Sequence, residues 1–264
     1  MSHEMHGPEG LLPLLMAAGY LWLVVRARRR GPWPGWRTGA FLFGVVLVAV
    51  ALLPPIGPWA HDDFRGHMLQ HMLIGMYAPI ALVLGAPVTL LLRALPARQA
   101  RRVTALLRSR AMRVLADPVV ALLLSVGVLG VLYYSPLYGV MSGQPVLHHL
   151  LHLHFLLAGC LFAWVIAGPD PAPHRPGVPA RLVLLGVAVA AHATVSQLMY
   201  SGLYLRVDAP AEQIQGAAQI MYYGGDIAEL LLAAALVAAW RPARAGADMT
   251  SFSSKQAQAV RGPR

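Results

Sequence analysis

Two imidazoles stand four residues apart at His67 and His71, and the thioethers of Met68, Met72 and Met76 keep the same interval through the stretch HMLQHMLIGM. Residues four apart stack on one face of a helix, so such a pair can offer two nitrogens to one ion, as zinc-binding His-x3-His pairs do. His148 and His152 repeat the arrangement, and His149 forms an alternative pair with His152. Imidazole alone suits zinc, copper, iron and nickel, whereas thioether is a soft ligand that selects Cu(I), so the methionine stripe tilts the chemistry toward copper. The plainer reading stands beside it: histidines also anchor helix ends, and methionine fills ordinary cores.

Further along, His192 falls near the middle of an apolar run, and Asp226 and Glu229 fall well inside the next one. An acid at that depth calls for a partner or a water-filled cavity. His192 is the expected partner of Asp226, which would orient it as a carboxylate orients a metal-bound imidazole; a helix–helix hydrogen bond without a ligand is the alternative. Gln197 and Gln219 belong to the same polar seam, while Cys160 reads as packing.

The elements that must hold these groups are membrane helices. Of 264 residues 57% are apolar and only 12% charged, about half the charged share of soluble domains, and the mean hydropathy is +0.57. Seven stretches approach the roughly 20 apolar residues a crossing needs: 10–26, 37–55, 67–92, 117–136, 146–167, 180–204 and 214–240. The predicted fold class is therefore all-α, an integral membrane bundle of seven transmembrane helices forming one domain over 1–240. Proline- and glycine-rich connectors such as GPWPGW at 31, PPIGPW at 54 and GPDPAPHRPGVP at 168 punctuate it. Residues 241–264 are polar and small and read as a disordered cytoplasmic tail.

The formal net charge of +10 is not a nucleic-acid footprint, because arginines crowd alternate loops: five from Arg26 to Arg37, seven from Arg93 to Arg113, then Arg175 and Arg181, then Arg241 and Arg244. The intervening loops are nearly free of them. This positive-inside pattern predicts an outside N-terminus and a cytoplasmic C-terminus, with the first helix an uncleaved anchor. The Arg-rich connector 93–116 reads as an amphipathic helix on anionic lipid headgroups. In that orientation nine of the eleven histidines gather at the outer face, His3 and His6 on the N-terminal tail among them. One cysteine permits no disulfide within the chain.

The run GHMLQHMLIGMYAPIALVLGAPVTLLLRALP at 66–96, HHLLHLHFLLAGCLFAW at 148–164, the mid-helix His192 and YYGGDIAE at 222 together resemble the CtaG family of caa-type cytochrome c oxidase assembly factors. The resemblance implies a multi-pass protein of the bacterial plasma (inner) membrane that helps build a haem-copper oxidase by handling copper for its binuclear centre. It is not an enzyme on this reading. Family-matching positions are His67, His71, His148, His149, His152, His192 and Asp226; with Met68 and Met72 they form the expected metal set, for Cu(I). Expected partners are oxidase subunits, extracytoplasmic copper chaperones and lipid, with a homodimer left open.

Two rivals remain at this point. Bis-histidine ligation across two helices would also suit haem, although no c-type attachment motif is present. A metal-free scaffold would use Gly44, Gly85, Gly127, Gly130, Gly224 and Gly225 for close helix contacts, internally or with a partner. A hydrolytic zinc site is disfavoured because no glutamate accompanies either histidine pair in an HExxH arrangement.

Overall fold

The computed structural model describes residues 8–173 and 175–240. The motif around His3, Met5 and His6, His174 and the tail 241–264 lie outside the described residues. Fourteen α-helical pieces follow in order among those described: α1 (Pro8–Arg28), α2 (Gly35–Leu52), α3 (Ile56–Asp62), α4 (Phe64–Met72), α5 (Ala78–Leu84), α6 (Pro87–Ala94), α7 (Ala97–Leu107), α8 (Arg110–Leu115), α9 (Pro118–Leu122), α10 (Val128–Tyr134), α11 (Leu137–Ser142), α12 (Pro145–Ile166), α13 (Val178–Ser201) and α14 (Ala211–Ala238). Two π-helical turns, Leu73–Tyr77 and Leu123–Gly127, join α4 to α5 and α9 to α10 into longer helices.

Among the described residues six helices, not seven, are long and apolar enough to cross a membrane: Gly10–Arg28, Gly35–Leu52, Phe64–Leu84, Val146–Ile166, Val178–Ser201 and Ala211–Ala238. The stretch expected to cross at 117–136 becomes the shorter apolar helix Pro118–Tyr134. Asp117 starts it late, its carboxylate accepting from the amides of Val119 and Val120, and Ser135 with Pro136 ends it early. At 1.5 Å per residue it extends about 25 Å, a little under the thickness of the hydrocarbon layer. Prolines and glycines set the other boundaries. Pro34 and Pro210 precede α2 and α14, and Gly202 (φ 69°) ends α13 in the left-handed cap that a side chain would resist.

The helix Phe64–Leu84 is the axis of the bundle: 67% of its apolar window is buried, against 22–50% for the other five crossing helices. Apolar side chains on the outer helices face outward, with Leu14, Val183 and Leu230 each more than two-thirds exposed, the pattern of a surface solvated by lipid. Polar tethers fasten the axis to its neighbours. Gln70 Nε2 donates to the Ala51 carbonyl (2.9 Å), Tyr77 donates its hydroxyl to the Gly224 carbonyl (2.8 Å), and Tyr20 donates to the Gly85 carbonyl (2.8 Å). Several of the glycines serve this internal packing: a methyl on Gly44 would meet Leu82 at 2.8 Å, and one on Gly85 would meet Phe41 at 2.7 Å. Gly130 has no atom of that kind within 4 Å.

At the opposite end from the histidine pairs, Ala86 takes the left-handed conformation (φ 52°) in the LGAP turn, and Pro87 opens α6. The first free amides of that helix are satisfied from 81 and 82 residues away: Asp170 accepts from the Val88 (3.0 Å) and Thr89 (2.7 Å) amides and from the Thr89 hydroxyl. Asp170 is itself buried (2% exposed). Asp170→Ala is expected to cost about 1–2 kcal/mol, the usual loss of a helix cap, read as a lower unfolding midpoint in detergent with no change at the distant histidines. The Arg-rich connector forms α7 and α8, neither of which buries a residue fully.

Candidate functional site

The third crossing helix begins with a cap. Asp63 accepts from the Arg65 amide (2.8 Å) and pairs with its guanidinium (2.6 Å), which holds the Asp63 carboxyl below the usual carboxylate range. The Phe64 amide donates to Gln213 on α14 (3.2 Å), so the rotation of α4 is fixed before its first histidine. His67 is then driven inward, 3% exposed, against Phe64 (ring centroids 5.7 Å, stacked) and Tyr138 (5.2 Å). Its Nε2 lies 3.5 Å from the Tyr133 hydroxyl.

From there imidazoles run outward as a series. His67 faces His148 of α12 at 6.1 Å between centroids, His148 lies 4.4 Å from His152 one turn on, and His61 of α3 lies 5.3 Å from His148. His149 sits 6.5 Å from His148 and is exposed. Three helices, α3, α4 and α12, thus bring four imidazoles into one mouth. Tyr138 walls it, its hydroxyl pushed up to about 12 by burial and so retained as a neutral phenol. The Nε2 of His152 is buried with no hydrogen-bond partner.

His71 turns elsewhere. Its ring packs on Phe155 (4.2 Å) and against Gly75, and it lines a cavity of about 20 Å³ together with Met76, Ser125, Leu129 and His192. An adjoining cavity of about 30 Å³ shares Gly75, Met76, Ser125 and Val126 and adds Glu229. Both π-helical turns therefore converge here, one supplying Gly75 and Met76, the other Ser125 and Val126. π-turns occur often at functional sites because they shift helix register locally. His154 is absorbed by the second turn, its Nε2 lying 3.1 Å from the Leu124 carbonyl.

The carboxylate facing His192 is Glu229, not Asp226: His192 Nδ1 and Glu229 Oε1 are 3.9 Å apart, both residues under 5% exposed, while Asp226 is half-buried. Gly225 explains the geometry, since a methyl there would lie 2.1 Å from the His192 ring. Room for the imidazole and the acid that faces it come from positions four apart on one helix, a signal legible in GGDIAE once it is sought. His71 Nδ1, His192 Nε2 and Glu229 Oε2 are all buried without a hydrogen-bond partner.

The methionines divide similarly. Met68 is fully buried in the core, Met72 packs toward Gly224 (3.5 Å to the position of an added methyl), and it is Met76 that lines the cavities beside the imidazoles. Among the described residues, no three of His, Cys, Asp and Glu form a ready-made metal cage. The aromatic wall of Phe64, Tyr133 and Tyr138 has no counterpart in the sequence reading, because it depends on α10 and α11 folding back over the mouth.

A model of the cytochrome c oxidase caa3 assembly factor family matches residues 18–243. Among curated proteins, an uncharacterised protein of Mycobacterium leprae is 32% identical over 252 residues, covering 88% of this chain and 38% of its own. Uncharacterised proteins of Mycobacterium bovis and Mycobacterium tuberculosis are each 33% identical over 216 residues, 76% of this chain and 33% of theirs. The chain thus spans about a third of the length of the curated relatives it matches. No solved structure matches it.

Proposed function

Because the chain belongs to the cytochrome c oxidase caa3 assembly factor family, we propose that it carries Cu(I) at the outer membrane face and hands it to a haem-copper oxidase under assembly. The observation that carries this reading is the imidazole series from exposed His61 through His148 to buried His67 and half-buried His152. Copper here is cargo. A loose set of neutral nitrogens drawn from three helices suits an ion that must be released by ligand exchange, whereas a closed cage would retain it. Exposed His149 fits the role of exchange ligand, and oxidase subunits and extracytoplasmic copper chaperones are the partners this implies.

In this reading Pro118–Tyr134 is the seventh crossing, the N-terminus lies outside and the C-terminus in the cytoplasm of a bacterium, with the chain in its plasma membrane. Two observations support it. The helix packs on α12 through its first half, where Ala121 shares a core cluster with Phe162 and Trp164, and reaches α4 at its far end, with Tyr133 beside His67; and the arginines alternate between loops. Reporter domains fused after residue 109 and after residue 136, on either side of Pro118–Tyr134, should report opposite sides of the membrane; the same side for both would remove the seventh crossing.

The direct test is to load the detergent-purified protein with Cu(I) anaerobically and to measure bound metal and the visible spectrum together. Copper without a Soret band is the expected result. A Soret band would make this a haem protein, and the absence of both signals would leave a scaffold whose histidines only pack helix ends.

A further inference from the structure

The mouth does not account for the deeper polar groups. His71, His192 and Glu229 lie further into the bundle, each under 5% exposed, and each keeps a side-chain nitrogen or oxygen with no hydrogen-bond partner. Leaving such atoms unsatisfied in an apolar interior is costly, because each has given up its hydrogen bonds to water. Three of them around two adjoining cavities of about 20 and 30 Å³ mark a place that awaits an occupant. Each cavity has room for a single water or ion, since a water needs roughly 10–15 Å³ of such space. A porphyrin does not fit.

We propose that the inner cavity beside His71 is a second cation site, separate from the mouth, that takes one monovalent soft ion through His71, His192 and Met76, with Glu229 of the adjoining cavity supplying the counter-charge beside His192. This rests on the copper reading of the mouth. The donor chemistry is the first argument: two imidazoles and a thioether favour Cu(I) over hard cations. Charge is the second. The mouth offers only neutral imidazoles, so an ion there keeps its charge and belongs near the headgroups. Glu229 as a carboxylate contributes one negative charge, which a monovalent ion cancels, whereas a divalent ion would leave a net positive charge in an apolar interior. The inner site therefore selects oxidation state as well as element.

Continuity is the third argument. His71 is one helical turn beyond His67 on the same helix, and the electrostatic neighbours of its ring are His192 and His152. It stands between the two stations, lining the inner cavity and within electrostatic reach of the mouth's His152. Gly75 and Gly225 keep the space beside the two rings clear: a methyl at Gly75 would sit 3.3 Å from His71 Cε1, and one at Gly225 would overlap His192.

The test is Cu(I) stoichiometry against a chromophoric chelator, with Zn(II) as the divalent comparison, on the full chain in detergent. Wild type should bind two Cu(I) per chain but only one Zn(II). Glu229→Gln, which keeps shape and removes charge, and His192→Ala should each bind one Cu(I), as should the mouth variant His67→Ala/His148→Ala. X-ray absorption of the mouth variant should show a sulfur neighbour to copper that Met76→Leu removes. One Cu(I) in wild type, lost in the mouth variant and kept in Glu229→Gln, overturns the inner site and leaves the mouth intact. Two ions retained in both inner variants, or two Zn(II) in wild type, also overturn it. No copper in wild type overturns the copper reading itself. Size-exclusion profiles identify any variant that fails to fold, and Glu229→Gln, the least disruptive, then decides.

Discussion

With His67 and His148 both replaced by alanine, the affinity of the mouth for Cu(I) is expected to fall on the order of 100-fold, because loss even of a group that merely supports a metal ligand costs 10–100-fold. These two rings face one another at 6.1 Å across α4 and α12, and His148 in turn connects to His61 and His152. Their joint removal cuts the series at its centre. The pair His67 and His71, adjacent on one helix face, is the less informative choice, since His71 packs on Phe155 and lines the inner cavity. Competition with a chelator of known affinity measures the change, and an unchanged affinity would remove copper from the mouth. Met68→Leu is the matched control: the side chain is fully buried in the core, so copper affinity should hold and stability should change by less than about 1.5 kcal/mol.

Gly159→Ala is expected to be the most destabilising single methyl in the bundle, costing about 3 kcal/mol, the upper part of the range for overpacking. The new carbon would lie 2.1 Å from the Gly75 carbonyl oxygen and 2.8 Å from Pro79 Cγ. Neither atom can swing aside as the tip of a long side chain would. One is main chain in a π-turn and the other a ring closed on its own backbone. Relief requires α12 to move off the axial helix, which would open the cavities beside Gly75. Thermal unfolding followed by tryptophan fluorescence measures the loss. Gly186→Ala supplies the contrast, with nothing within 4 Å of its added methyl, and should be neutral or stabilising by up to about 1 kcal/mol.

Apolar length and Pro/Gly punctuation made most of the helices legible, because a chain in lipid must satisfy its backbone within each segment. The ends at Pro34, Gly202 and Pro210 follow from residue chemistry alone. The apolar stretch 117–136 overshoots Pro118–Tyr134 at both ends, because Asp117 caps the helix and Ser135 with Pro136 stops it. The short helices α3 and α11, which bring His61 and Tyr138 to the mouth, leave no mark in the sequence, since at seven and six residues they carry too few turns for a periodic signal. The histidine pairs were visible by spacing, but spacing assumes an uninterrupted 3.6-residue repeat and cannot see which neighbour each ring meets. That is why Met76 and Glu229, rather than Met72 and Asp226, stand beside His71 and His192.

The π-turn at Leu73–Tyr77 also bears on which changes in chain length the protein can absorb. Such a turn holds one residue more than the α-helix it interrupts, and one residue is worth about 100° of rotation. Before it, α4 is keyed to α14 and α2 through Phe64 and Gln70; after it, α5 and the LGAP turn are keyed to Tyr20, Phe41 and Asp170. A single-codon deletion inside the turn would mend the helix and break the bundle, since the two halves could no longer face their separate partners together. The same deletion at the tip of a surface connector would go almost unnoticed. The axial helix thus behaves as two keys cut on one shank, and the extra residue between them is the part that a gene can least spare.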